Sequence, residues 1–152
     1  MHTAGDIAQA QPLYRAALQE DGSNPDANHL LGLTLYAQQD LSGAEVYLRT
    51  ATHLAPTNPN MFNSLGECLR IGRKYDDALA AYLSALEIDP DNVAALSNVG
   101  RLLIDTEEYL EAATVFEGVL ARTGDSADSL FAVGRSYFFA KDYETAVSYL
   151  RR

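Results

Sequence analysis

The sequence repeats itself with a period of 34 residues. A glycine recurs at this step, followed at a fixed distance by an alanine and then by a large apolar or aromatic residue. The three columns are Gly32, Gly66, Gly100 and Gly134; Ala44, Ala78, Ala112 and Ala146; and Leu48, Tyr82, Phe116 and Leu150. Several columns kept in one register over four copies indicate a repeat architecture, in which each copy is a small unit stacked on the next.

Each copy predicts two helices. In the second full copy, Asn58 can cap the start of a helix because its side-chain oxygen accepts a backbone N–H. Phe62, Leu65 and Leu69 then fall on one face of that helix. Gly72 is expected to supply the turn that ends it, and a second amphipathic helix follows before the next Asp-Pro pair.

The glycine column predicts where the two helices of one copy cross. Glycine inside a helix costs about 1 kcal/mol relative to alanine, so its recurrence at one phase needs a compensating contact. Its missing side chain allows two helix backbones to approach closely. A single hairpin cannot bury its apolar face alone, so neighbouring copies are expected to stack and share a core.

This order of residues resembles the tetratricopeptide repeat. The residues that carry the resemblance in the second full copy are Leu65, Gly66, Leu69, Tyr75, Ala78, Tyr82 and Pro90. The position where the family favours tryptophan holds Asn28, Phe62, Leu96 and Leu130 instead. The resemblance implies an all-α fold, a right-handed α-solenoid of stacked antiparallel helix pairs whose first helices line a concave groove.

The whole chain, residues 1–152, is expected to form one solenoid domain. A leading helix over 5–20 precedes repeats over 25–58, 59–92, 93–126 and 127–152, of which the last is incomplete. Solenoids normally end in a polar capping helix, and the sequence shows none, so we expect the chain to be part of a longer protein. Its front resembles bacterial proteins that carry these repeats before a glycosyltransferase or sulfotransferase domain.

Motifs for catalysis or cofactor binding are absent from the sequence. It contains no glycine-rich phosphate-binding loop, no HExxH and no GxSxG. The three histidines, His2, His29 and His53, lack the spacing of metal ligands. The single cysteine, Cys68, is expected to be a small buried filler. We therefore expect neither an enzyme nor a cofactor or metal site.

The charge of the chain limits its partners. The sequence has 21 acidic and 11 basic residues, a formal net charge of -10. An acidic surface repels phosphate groups and anionic lipid, so binding to nucleic acid or membranes is not expected. No run of about 18 apolar residues predicts a transmembrane helix, and the N-terminus does not resemble a secretory signal. These features favour the cytoplasm and leave the oligomeric state open.

One stripe on the first helices is the candidate binding surface. Relative to each glycine, it takes the positions six before, three before, one after and four after, which lie on one face about 100° from the pairing face. The resemblance places this stripe in the concave groove. The predicted peptide-binding residues are His29, Tyr36, Asn60, Asn63, Arg70, Ser97, Arg101, Phe131, Arg135 and Phe138.

The residue types on this stripe indicate the kind of partner. Guanidinium groups pair with carboxylates, amide side chains bond a peptide backbone, and phenylalanines receive an apolar anchor. The first hypothesis is therefore a protein-interaction scaffold that binds an extended peptide, acidic or C-terminal, in the groove. The alternatives are a substrate-presenting arm of a larger transferase and a structural or self-associating spacer.

Overall fold

The computed structural model describes the backbone of residues 4–152 and the side chains of residues 10–152. Over this range the secondary structure consists of nine α-helices and contains no strand, so the predicted all-α class is confirmed. The helices are α1 (Ala4–Glu20), α2 (Pro25–Ala37), α3 (Leu41–Leu54), α4 (Pro59–Ile71), α5 (Tyr75–Ile88), α6 (Val93–Asp105), α7 (Tyr109–Thr123), α8 (Ala127–Phe139) and α9 (Tyr143–Leu150).

Side-chain caps set the starts of the first helices in each hairpin. Asn24, Asn58 and Asn92 accept backbone N–H bonds of 2.9, 3.1 and 3.0 Å, and Ser126 accepts one of 3.2 Å. These four residues are themselves 34 apart in the sequence. The cap predicted at Asn58 is confirmed, and at each helix start a side-chain oxygen accepts from a backbone N–H of the first turn.

Gly72 is the C-cap of α4, as expected for the end of that helix, but it is not the left-handed residue of the turn. Gly72 has φ -74°, which is right-handed, and the left-handed residue is Arg73, with φ 58°. The N–H of Lys74 donates to the carbonyl of Leu69 at 2.9 Å. This closing bond requires the residue before Lys74 to turn left. The equivalent left-handed residues are Gln39, Glu107 and Lys141.

The helices form two compact units, Met1–Ile88 and Asp89–Arg152. In the first unit, α1 packs on α2, α2 on α3, α3 on α4 and α4 on α5. In the second, α6 packs on α7, α7 on α8 and α8 on α9. Each helix therefore buries its apolar face against its neighbours in sequence, as expected for stacked hairpins.

The glycine column marks the helix crossings, as predicted. A Cβ atom added at Gly100 would lie 2.6 Å from the ring of Phe116, and one at Gly32 would lie 2.7 Å from Leu48 Cγ. Gly66 meets the ring of Tyr82 and Gly134 meets Leu150 in the same way. At all four glycines, the large side chain of the following helix therefore occupies the space that a glycine side chain would need.

Asn28 replaces the favoured tryptophan without leaving a polar group unsatisfied. It is buried, and its Nδ2 donates to the carbonyls of Gly22 at 3.1 Å and Asn24 at 2.9 Å. A buried amide that has two backbone acceptors is well accommodated. The first hairpin is therefore tied to the loop before it at a position that the other hairpins fill with Phe62, Leu96 and Leu130.

We expect Gly100→Ala to destabilise the protein by about 1–3 kcal/mol, because the added methyl overlaps the ring of Phe116. The matched control is Gly118→Ala on α7, where the nearest atom to the new Cβ would be 3.6 Å away. That change should instead stabilise the helix by up to about 1 kcal/mol. Urea unfolding measures both. Equal effects of the two substitutions would contradict the packing role of the glycine column.

A second pair of substitutions separates backbone strain from packing. Gly124 has φ 76° and nothing within 4 Å of its missing side chain, so Gly124→Ala should destabilise by about 1–3 kcal/mol through strain alone. Gly72 is right-handed, so Gly72→Ala should stabilise by about 0.4–1 kcal/mol. Thermal unfolding should shift in opposite directions, and a shift in the same direction would overturn the assignment of the turn residues.

Candidate functional site

Each unit holds half of the predicted site residues. His29, Tyr36, Asn60, Asn63 and Arg70 lie on α2 and α4 of the first unit. The other five lie on α6 and α8 of the second unit and are Ser97, Arg101, Phe131, Arg135 and Phe138.

His29 contacts the neighbouring first helix. Its Nε2 lies 2.9 Å from Ser64 Oγ. The Ser64 hydroxyl donates to the carbonyl of Asn60 at 3.0 Å, so it accepts from a protonated Nε2 of the imidazole. Burial lowers the pKa of His29, against the opposing effect of the Asp26 carboxylate. The imidazole is thus held neutral and directed by a hydrogen bond between α2 and α4.

Arg70 is engaged inside the first unit. Its Nε donates to Glu67 Oε2 at 3.1 Å and its Nη2 to Glu67 Oε1 at 2.9 Å, and only 13% of its side chain is exposed. Tyr82 donates to the same carboxylate at 3.2 Å, and Tyr36 makes a longer contact of 3.5 Å. Burial, with the Glu67 charge, raises the pKa of both tyrosines. Arg70 therefore has an internal carboxylate partner.

The two asparagines of the first unit differ in exposure. Asn60 is exposed at the start of α4, whereas Asn63 is half-buried one turn further on. Asn60 also contributes its backbone to the Asn58 cap and the Ser64 bond. The side chain of Asn60 is thus the more accessible of the two to a partner.

A cavity of about 450 Å³ lies within the second unit. Four predicted residues line it: Ser97 and Arg101 from α6, and Phe131 and Arg135 from α8. The remaining lining residues are Phe116, Val119, Asp128, Ser129 and Ala132. Three consecutive helices, α6, α7 and α8, therefore contribute to a single concave site.

The two arginines of this cavity have no carboxylate partner among the described residues. Arg101 is exposed and its Nη1 donates to the amide oxygen of Asn98 at 2.8 Å. The guanidinium of Arg135 lies 6.0 Å from the centre of the Phe131 ring, and its buried Nε has no hydrogen-bond partner. Other basic side chains do pair with carboxylates, namely Arg49, Arg70, Lys74, Arg122 and Arg152.

Phe138 does not line the cavity. It lies near the end of α8, where its ring contacts Phe139 and Tyr143 at centroid distances of 5.9 and 5.6 Å. The second unit thus brings together Ser97, Arg101, Phe131 and Arg135, while Phe138 belongs to a separate group of aromatic side chains.

Several residues around these sites were not predicted. The partner of Arg70 is Glu67, and that of Arg101 is Asn98, each three residues earlier on the same helix. This spacing is a known signal for paired side chains on a helix and could have identified both. Asp128 belongs to the stripe, six residues before Gly134, but is not among the predicted peptide-binding residues. The contribution of α7 through Phe116 and Val119 carries no comparable signal in the sequence.

Other chemistry is limited in the part of the chain that the structure describes. Residues 4–152 contain no helix long and apolar enough to cross a membrane. Over the described residues, no group of three or more His, Cys, Asp or Glu side chains could hold a metal ion. Cys68 is buried, and burial raises the pKa of its thiol to about 11, so it is a poor nucleophile at neutral pH.

Helical hairpins that stack on one another in sequence define a class of repeat proteins. Family models described as tetratricopeptide repeat match residues 1–68 and 99–152, and one described as TPR repeat matches residues 68–106. Together they span the chain, which belongs to the tetratricopeptide repeat family. No curated protein sequence matches the chain closely enough to count as a relative.

Solved structures show the same fold. A crystal structure of MamA matches with a TM-score of 0.87 and 19% identity over 99% of this chain and 92% of that one. YrrB, described as a TPR protein with an unusual peptide-binding site, matches with a TM-score of 0.78 and 22% identity over 97% of this chain and 76% of its own. PilF of Pseudomonas aeruginosa matches with a TM-score of 0.84 and 22% identity over 95% of this chain and 66% of its own.

The burial of His29 predicts a pH dependence of stability. Because its pKa is lowered in the folded chain, the unfolded chain binds this proton more readily. Its contribution to stability is present above about pH 6.5, the ordinary value for histidine, and is lost as the pH falls below it. Urea unfolding at pH 7.5 and 5.5 should show this loss.

The variant His29→Gln should have a smaller loss of stability over the same pH range than the wild type. His53 is exposed on α3, so His53→Gln controls for the removal of an imidazole as such. An unchanged pH dependence in His29→Gln would show that the His29–Ser64 contact does not hold the imidazole neutral.

Proposed function

We propose that the protein is an interaction scaffold that binds an extended peptide, and that the cavity of the second unit holds a carboxylate of that peptide. The proposal rests on the lack of an ion pair at Arg101 and Arg135. Acidic residues outnumber basic ones by 21 to 11, yet these two guanidinium groups line one cavity without an ion pair to any described carboxylate.

The donors in the cavity fit a carboxylate. Asn98 accepts one N–H of Arg101, which orients the guanidinium and leaves its other donors for a ligand. The Nε of Arg135 is a further donor, and it has no partner among the described residues. Two guanidinium groups that converge on one site are a strong recognition element for a carboxylate.

Apolar side chains beside the arginines supply a second contact. Phe131 is 57% exposed, and Phe116 and Val119 of α7 also line the cavity. Together they can receive an aliphatic or aromatic side chain next to the carboxylate, where an aromatic anchor is typical of a binding hot spot. Asp128 opposes a second negative charge at its end of the cavity and so orients the peptide.

In the first unit, His29, Tyr36, Asn60 and Asn63 are proposed to make polar contacts to a peptide backbone. Arg70 has a different role in the proposal, because Glu67 occupies its guanidinium. Arg70 holds the Glu67 carboxylate, which also accepts a hydrogen bond from the Tyr82 hydroxyl and contacts the Tyr36 hydroxyl. A ligand carboxylate is therefore expected to bind at Arg101 and Arg135 and not at Arg70.

No catalytic role is included in the proposal. Tetratricopeptide repeat proteins are generally non-catalytic scaffolds. The description of YrrB as having a peptide-binding site supports peptide binding as a use of this fold. Binding through the first helices of stacked hairpins requires no side-chain chemistry beyond hydrogen bonds, ion pairs and apolar contact.

We expect Arg101→Ala and Arg135→Ala each to weaken binding of an acidic peptide by about tenfold or more, which is roughly 1–3 kcal/mol. The probe is an acetylated peptide Gly-Asp-Glu-Phe-Glu-Asp with a free C-terminus, measured by titration calorimetry. Binding should also weaken as salt rises, since exposed ion pairs are screened.

Two controls make the test specific. Arg15→Ala removes an exposed arginine of the first unit and should leave the affinity unchanged. A peptide with Asn and Gln in place of Asp and Glu, and an amidated C-terminus, should bind much more weakly. Equal affinity of the wild type and both cavity variants, or equal binding of the two peptides, would refute the carboxylate site.

A further inference from the structure

Four aromatic side chains of the second unit form a cluster that the proposed peptide site does not use. Tyr109 stacks on Phe139 with ring centres 5.4 Å apart, Phe139 meets Phe138 edge to face at 5.9 Å, and Phe138 meets Tyr143 at 5.6 Å. We call these four residues the aromatic cluster. They come from the start of α7, the end of α8 and the start of α9.

The cluster is open to solvent. Phe138, Phe139 and Tyr143 are 54%, 42% and 56% exposed. Leu110, the residue after Tyr109, is 57% exposed. Single exposed apolar residues are ordinary on a protein surface, but contiguous exposed rings mark a contact surface. The stacking of Tyr109 on Phe139 joins α7 to α8, and more than half of the surface of Phe138 and of Tyr143 remains open to a partner.

The turns that carry the cluster are strongly acidic. The stacking of Tyr109 on Phe139 places the α6–α7 turn beside the α8–α9 turn. The residues from 106 to 109 and from 138 to 144 include four carboxylates and one basic side chain, Lys141. The carboxylates are Glu107, Glu108, Asp142 and Glu144.

We propose that the aromatic cluster docks a basic segment of a partner protein. A lysine or arginine side chain lies over an exposed ring face, where the negative face of the ring attracts the cation, and the surrounding carboxylates attract it further. The aliphatic stem of the same side chain packs on the rings. The partner segment combines at least two cationic side chains with neighbouring apolar ones.

The negative charge around the aromatic cluster favours a basic segment over a second copy of the chain or an anionic lipid surface. A second copy of the chain would bring the same acidic turns toward each other, and like charges oppose such a contact. An anionic lipid surface would be repelled for the same reason. Cationic side chains alone satisfy both the rings and the carboxylates, and this site is independent of the arginine cavity, whose ligand carries the opposite charge.

The test uses the acetylated and amidated peptide Gly-Leu-Lys-Arg-Leu-Arg-Gly as probe, with fluorescence anisotropy for affinity and amide chemical shifts for location. We expect saturable binding with shifts at Tyr109, Phe138, Phe139 and Tyr143. Phe138→Ala should weaken binding at least fivefold, as should the double change Glu107→Gln and Glu144→Gln. Raising salt from 50 to 500 mM should weaken it as well.

Matched controls separate this site from the arginine cavity and from general effects. Phe131→Ala removes an equally exposed phenylalanine of α8 that lines the cavity, and Glu87→Gln removes an exposed carboxylate of the first unit. Neither should change affinity for the basic peptide by as much as twofold. Arg101→Ala, which tests the carboxylate site, should likewise leave the affinity for the basic peptide unchanged. Each of the two proposals can therefore be refuted without the other.

Several outcomes would overturn the proposal. One is equal binding of a peptide in which glutamines replace the lysine and arginines, because the surface would then be merely apolar. Another is unchanged binding in Phe138→Ala together with the double glutamine variant, both checked for native helical circular dichroism. A third is concentration-dependent dimerisation, seen by sedimentation, that Phe138→Ala abolishes, which would assign the cluster to a second copy.

Discussion

The close approach of two helices at each glycine is the contact on which the rest of the structure depends. At Gly100 the ring of Phe116 occupies the space of the missing side chain, and Leu150 does the same at Gly134. This contact fixes the rotation of each first helix, so the residue after the glycine always has the same phase relative to the pairing face. Arg101 and Arg135 occupy that position on α6 and α8, and both line one cavity.

The residue type at this position differs between the two units. In the first unit it is Leu33 on α2 and Glu67 on α4, and Arg70 stands three residues after Glu67, so an ion pair forms within α4. Tyr82 adds a hydrogen bond, and the group is satisfied internally. In the second unit the position is arginine, and the described residues offer neither Arg101 nor Arg135 a carboxylate. A buried donor without a partner is costly, which makes a ligand the natural complement of Arg135.

The 34-residue period and the helical phase of the apolar residues made the fold predictable. The hydrogen-bond and ring partners of individual side chains were harder to predict. The 34-residue columns identified helices, crossings and the Asn58 cap from local rules alone. The sequence predicted the helix end at Gly72, but it did not show that the closing bond from Lys74 to Leu69 gives the left-handed conformation to Arg73. In the candidate site, helical phase placed Ser97, Arg101, Phe131 and Arg135 on one stripe, and these four residues line one cavity. It could not show the ring contact of Phe138 with Tyr143, because Tyr143 is on α9 and the contact depends on how the hairpin closes.

Helix α8 connects the two proposed surfaces of the second unit, and its geometry explains why they can have opposite charge preferences. Phe131 and Arg135 are one helical turn apart and line the cavity, whereas Phe138 and Phe139 stand at the end of the helix beside the acidic turns. At physiological salt the Debye length is about 8 Å, so exposed charges interact mainly with groups within that distance. Arg135 can therefore attract a carboxylate while Glu144 attracts a cation on the same small unit. A partner that carries both an acidic and a basic segment would gain affinity from occupying the two surfaces together, because the second contact is intramolecular once the first has formed.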